Sequence, residues 1–230
     1  MKTLLKIVGV LVALLLVALL AVYFSMNILI ARAITSFGPA LTQTPVKVTL
    51  VTMSPFSGGG QLVGLTVDSP KDYAAQPAIK LGEVKFKLNL GTLFSDKIVI
   101  EEISIDSPEV NFEQKFASNN ISALRKNVNE YVAKFSGTST KGSRKFQINR
   151  LVITKGKAHL GTAGARVTFP IADTERTGIG AKADGVNSAE ITRVVFSIFT
   201  DSVLKGVASG AIFKEGANTI GEGVKGLFGN

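Results

Sequence analysis

The residues best equipped for chemistry are few, and their spacing builds no known reaction centre. His159 is the one histidine of this 230-residue chain, and there is no cysteine. A hydrolytic triad needs a histidine that meets both a nucleophile and an orienting carboxylate. No Gly-x-Ser-x-Gly elbow supplies the nucleophile, and a single histidine with no thiolate cannot build a zinc site. Carboxylates gather at Glu101, Glu102 and Asp106, then at Glu109 and Glu113. A carboxylate pair can hydrolyse glycosides when it flanks a cleft. As neighbours on a strand, however, Glu101 and Glu102 are expected on opposite faces, opposite Lys85 and Lys87 on the next strand. Gly58-Gly59-Gly60 lacks the lysine and following helix of a phosphate loop. The expectation is a non-enzymatic protein with no catalytic residue, no metal and no cofactor.

The elements around these side chains are legible from periodicity. Ile7 to Phe24 is an uninterrupted apolar run preceded by Lys2 and Lys6. About 20 such residues in helical form span a bilayer, and only a helix satisfies its own backbone there. A cleaved leader would have a shorter core and a small-x-small site, and Val22-Tyr23-Phe24-Ser25-Met26 offers none. The reading is a single N-terminal span with its start in the cytoplasm. A short amphipathic extension follows to Phe37, and Gly38-Pro39 is expected to stop it.

From Val46 the period switches to two. Val46, Val48 and Leu50 share a face, as do Val63, Leu65 and Val67. Val84, Phe86, Leu88 and Leu90 form the clearest stripe, and Ile98 to Ile105 continues the pattern. Short turns such as Asp68-Ser69-Pro70 and Asp106-Ser107-Pro108 predict antiparallel neighbours. Asn119 or Asn120 caps a helix over about 119–135, with Ile121, Leu124, Val128 and Val132 on its apolar stripe. Gly137 to Lys145 is a basic loop. Residues 173–187 show no periodicity and are read as loop. Ser188 opens a C-terminal amphipathic helix whose apolar face is Ile191, Val194, Val195, Ile198, Phe199 and Val203, followed by a Gly-rich tail to residue 230. The fold class is α+β: a transmembrane helix (1–37), a curved, groove-like antiparallel sheet (45–172), a loop (173–187) and a helical segment (188–230).

The formal charge is +9, which favours anionic partners such as lipid head groups. Nucleic acid is not expected, because the phenylalanines sit in core phase and are not interleaved with lysine and arginine on an open sheet.

The order of these pieces carries a resemblance. An N-terminal apolar helix precedes Leu62-Val63-Gly64-Leu65-Thr66-Val67, then Leu81-Gly82-Glu83-Val84-Lys85-Phe86-Lys87-Leu88 and the turn Gly91-Thr92-Leu93-Phe94-Ser95. Lys97-Ile98-Val99-Ile100-Glu101-Glu102-Ile103-Ser104-Ile105 follows, then Asp106-Ser107-Pro108-Glu109-Val110-Asn111-Phe112-Glu113 and Asn119-Asn120-Ile121-Ser122-Ala123-Leu124. Over roughly residues 1–130 this resembles the N-terminal region of AsmA-like proteins, relatives of bridge-like lipid-transfer proteins with a repeating β-groove. The resemblance implies a Gram-negative inner-membrane protein facing the periplasm, with a curved sheet whose concave side handles lipid in envelope biogenesis. Its implied partners are the membrane, a phospholipid, and a second copy or a larger envelope protein. The lipid-facing candidates are Val84, Phe86, Leu88, Leu90, Ile103 and Ile105. The competing expectation is a closed β scaffold that docks an envelope partner through Ile191, Val194, Val195, Ile198, Phe199 and Val203.

Overall fold

Six extended runs between Val46 and Ile179 pair into one large sheet, and each slips by one residue at the same level. The computed structural model describes residues 2–73, 77–115, 118–135, 144–160 and 167–228, with backbone alone for most positions before Ser25 and from Gly210 onward. In chain order the elements are α1 (Lys2–Thr42), β1 (Val46–Lys47), β2 (Leu50–Met53), β3 (Gly59–Asp68), β4 (Pro77–Leu88), β5 (Lys97–Asp106), β6 (Glu109–Phe112), β7 (Gln114–Lys115) and β8 (Ser118–Asn119). They continue with α2 (Asn120–Phe135), β9 (Lys145–Thr154), β10 (Gly156–Leu160), β11 (Val167–Ile171), β12 (Thr174–Ile179) and α3 (Ser188–Phe228).

Several of these strands are halves of longer ones. β5 and β6 both pair antiparallel with β4 in one unbroken register, from Lys87↔Glu102 through Glu83↔Asp106 to Ile79↔Val110. β9 and β10 run parallel to them, with Asp106↔Thr154 and Lys157↔Glu109. β12 and β11 complete the edge, with Thr174↔Ile153 and Gly156↔Ile171. On the other side β3 pairs with β4, and β1 and β2 pair with β3.

The breaks between halves line up as a transverse crease. Thr49, Gly64, Gly82, Ser107, Lys155 and Ala172 fall opposite one another, and three of them are left-handed: Gly64 at φ 66°, Ser107 at 51° and Lys155 at 54°. Gly64 suits the place twice over, since a Cβ there would sit 2.4 Å from Thr49 Oγ1. At the crease two residues, not one, separate successive inward positions: Leu62 and Leu65, Leu81 and Val84, Ile105 and Pro108, Ile153 and Gly156. Because alternation has period two, one extra residue would turn the following half inside out if it stood in a single strand. Placed in every strand at once, it bends the sheet and keeps both halves facing the same way. Val67, Ile79, Val110 and Ala158 on one side of the crease and Val84, Ile105 and Ile153 on the other therefore share one apolar core. Side chains hold the crease. Asp106 accepts hydrogen bonds from Ser107 Oγ and Thr154 Oγ1, both at 3.1 Å, and Asp173 Oδ1 accepts the Lys155 N–H at 2.9 Å.

Three helices cover the inward face. α1 lies along β1 and β2, α3 along β9 to β12, and α2 packs between them. α2 starts where Asn119 Oδ1 accepts the Ser122 N–H at 2.8 Å, and it buries Ile121, Leu124, Val128 and Val132. Asn187, not Ser188, caps α3, accepting the Glu190 N–H at 2.8 Å. Gly206 allows α3 to lie against β11, where a Cβ would come 2.8 Å from Pro170 O.

Several expectations need correction. Among the described residues no helix is long and apolar enough to cross a membrane, so the N-terminal transmembrane span is not supported. α1 is one helix that passes Gly38-Pro39 and ends only at Thr42. Its continuously described side chains, from Ser25 on, interleave Asn27, Arg32, Thr35 and Ser36 with apolar positions. The sheet is mixed, not antiparallel, because α2 makes a crossover long enough to bring β9 back parallel to β5. Residues 173–187 are not all loop. β12 is an edge strand whose positions from Glu175 to Gly178 are exposed, and that exposure erased its alternation. Gly137 to Ser143 of the expected basic loop lies outside the described residues, as do the side chains of the Gly-rich tail.

Candidate functional site

The crease divides the inward face into two unequal parts. Towards the α1 C-terminus and α2, Ile79, Val110, Ala158, Ile171 and Val203 are buried and the space is filled. Towards the β2–β3 and β4–β5 turns the cover thins. Here the cross-strand pairs are Val84↔Ile105, Phe86↔Ile103 and Leu88↔Ile100. Val84 and Ile105 are buried in the core, whereas Phe86, Leu88, Ile100 and Ile103 are half-buried. Leu90, the sixth candidate, leaves the strand in a 3₁₀ turn and lies under Gly58. A shallow recess of about 420 Å³ opens beside Phe86, bordered by Met53, Gly60 and Gln61 and by Lys85 and Lys87.

Ile100 is absent from the sequence-level candidates because it has the wrong parity. Lys87 pairs with Glu102 and Leu88 with Ile100, so Glu101 is the extra residue of a bulge. The bulge turns Ile100 inward and places both Glu101 and Glu102 on the outer side. Glu101 lies 3.2 Å from Lys87, and Glu102 lies 2.7 Å from Arg150, which also holds Glu175 at 2.9 Å. The expectation that these two glutamates diverge is thus replaced by adjacent ion pairs, one of them to Lys87. Lys85 turns instead to Glu83, 3.0 Å away. Hydrogen bonds from Arg150 hold the Glu175 carboxyl below the usual carboxylate range, and its two carboxylate partners push the Arg150 guanidinium higher still.

His159 stands in β10 opposite Thr168, with Nδ1 2.9 Å from Thr168 Oγ1. Among the described residues no group of three or more His, Asp or Glu side chains could hold a metal ion. The α3 candidates divide by depth: Ile191, Phe199 and Val203 are buried against the sheet, and Val194, Val195 and Ile198 pack partly on the same core. That face is engaged by the protein's own strands.

No protein-family model matches this chain, and no curated protein matches it. The half-covered end of the inward face offers flat aliphatic and aromatic surface, while Lys85 and Lys87, on the opposite face of the same strand, are ion-paired to Glu83 and Glu101. Such a surface can bind an acyl chain by desolvation.

Proposed function

We propose that this protein is a non-enzymatic lipid-binding protein that handles phospholipid in a bacterial cell envelope, with its sheet domain on the periplasmic side. One observation carries the reading. Phe86, Leu88, Ile100 and Ile103 lie in register on the inward face, yet remain only partly buried, with Ile100 and Ile103 at the margin of the core and Phe86 and Leu88 beyond it. Fully burying such side chains contributes about 1.5–3 kcal/mol each, so leaving four of them partly wet disfavours the empty state. An acyl chain laid across them would recover that free energy. The periplasmic, envelope setting rests on the AsmA-like order of the sequence elements. The scaffold alternative draws less support, since Ile191, Phe199 and Val203 are already packed on the sheet.

The test is lipid extraction and native mass spectrometry of the purified protein, with Leu88→Asp as comparison. Phospholipid is expected to accompany the wild type at near-stoichiometric level. The variant should lose it while keeping its circular dichroism, because Leu88 is half-exposed. Wild-type protein that is consistently free of lipid would refute the proposal.

A further inference from the structure

We propose that the end of the sheet bearing the β2–β3 and β4–β5 turns docks on the surface of an anionic phospholipid bilayer. Each of these two turns carries one outward phenylalanine. Phe56 is 77% exposed and Phe94 is 96% exposed, the highest values among the large apolar residues described. The turns are neighbours: the Leu88 N–H donates to Gly58 O at 2.9 Å, and Gly58 packs against Leu90. Neither ring has a packing role in the fold. Two exposed aromatic rings on adjacent turns suit the bilayer interface, where an apolar ring enters the acyl boundary and the polar backbone stays with the head groups.

Charge at this end complements such a surface. Arg144 donates to Leu93 O at 2.8 Å, next to Phe94. Lys97 and Lys145 share one carboxylate, Asp184, at 2.9 and 3.8 Å. With Lys182 these make four cations against Asp96 and Asp184. The opposite end is balanced among its described residues, with Asp68, Asp72 and Glu113 against Lys47, Lys71 and Lys115. Cations close to an anionic leaflet add to the attraction, and a basic patch combined with an apolar insertion gives firmer binding than either feature alone. The course of α1 points the same way. Asn27 Oδ1 accepts the Met53 N–H at 2.9 Å at this end, and Gly38 meets Val46 at the other. The helix residues before Asn27 therefore extend past the Phe56 and Phe94 turns, and Val10, Leu14, Leu15 and Val17 are exposed there. Docking requires no acyl chain on Phe86 or Leu88, so this inference and the lipid-binding proposal fail separately.

The absence of tryptophan makes the test site-specific. Phe56→Trp, Phe94→Trp and, as the far-end control, Tyr73→Trp are made in the full chain and mixed with vesicles of brominated phosphatidylcholine and phosphatidylglycerol. Quenching at positions 56 and 94 is expected to exceed that at position 73 by roughly twofold or more, because bromines sit only within the acyl layer. It should weaken when phosphatidylglycerol is left out. No quenching at 56 and 94, or equal quenching at all three positions, overturns the docking. Equal quenching at 56 and 94 in neutral vesicles overturns the assignment of an anionic surface.

Discussion

The two halves of the inward face are built from the same strands and the same residue types, yet one is filled throughout and the other only in part, where Val84, Ile105, Leu151 and Ile153 are buried and Phe86 and Leu88 are not. Above the crease, Ile79 is flanked by Val67 and Val110 and roofed by α2 and α3. Below it, Phe86 and Ile103 pair as closely, but their roof is incomplete. Alternation states only which side of a strand is apolar, and the element that arrives from elsewhere in the chain decides whether that side is filled. How much of the inward face stays open is set by where α2 and α3 stop.

The largest effect should come from attacking the feature that joins the halves. Deleting Gly82 alone removes the extra residue from β4 but not from its neighbours. Half of β4 would then present Ile79 and Leu81 outward, and the variant is expected not to fold, as judged by circular dichroism and loss of a cooperative melt. Next comes the contrast itself. Ile79→Ala in the filled half should cost about 2–4 kcal/mol in urea unfolding. Leu88→Ala in the open half should cost about 1 kcal/mol or less, because less surface is desolvated there. Equal costs would mean that both halves are equally packed. A smaller effect of opposite sign is expected at the crease. Lys155 holds a left-handed φ of 54°, so Lys155→Gly should stabilise by about 0.5 kcal/mol, the strain relieved being partly offset by the freer unfolded chain.

The smallest effect concerns pH. The Ser107 and Thr154 hydroxyls, with Lys155 beside them, hold the Asp106 carboxyl below its ordinary range. A depressed carboxylate contributes stability that is fully present above its unfolded value and lost as pH falls through its folded one. Wild-type protein should therefore lose stability on acidification through and below the usual carboxylate range. Asp106→Asn should lose less over the same interval, which thermal melts at stepped pH would show.

Much of this was legible in the chain. The Val84, Phe86 and Leu88 stripe, the α2 stripe from Ile121 to Val132 and the buried side of α3 all follow from simple periods. Four things escaped, each for a physical reason. The crease hides in single-residue slips, such as the step from Leu81 to Val84, which look like noise within one strand and become a rule only when all six runs are aligned. Ile100 needed the Glu101 bulge, a register effect that belongs to two strands at once. β12 was invisible because its exposed edge asks for no apolar partner. The parallel pairing of β5 with β9 spans 48 residues of register offset, and no local signal fixes that.

The most direct test of the central claim is photocrosslinking with a phospholipid that carries a diazirine in its acyl chain, followed by peptide mapping. Adducts are expected on the strand segments that contain Phe86, Leu88, Ile100 and Ile103, and should be lost in Leu88→Asp. Adducts confined to α1, or none on these strands, would contradict it.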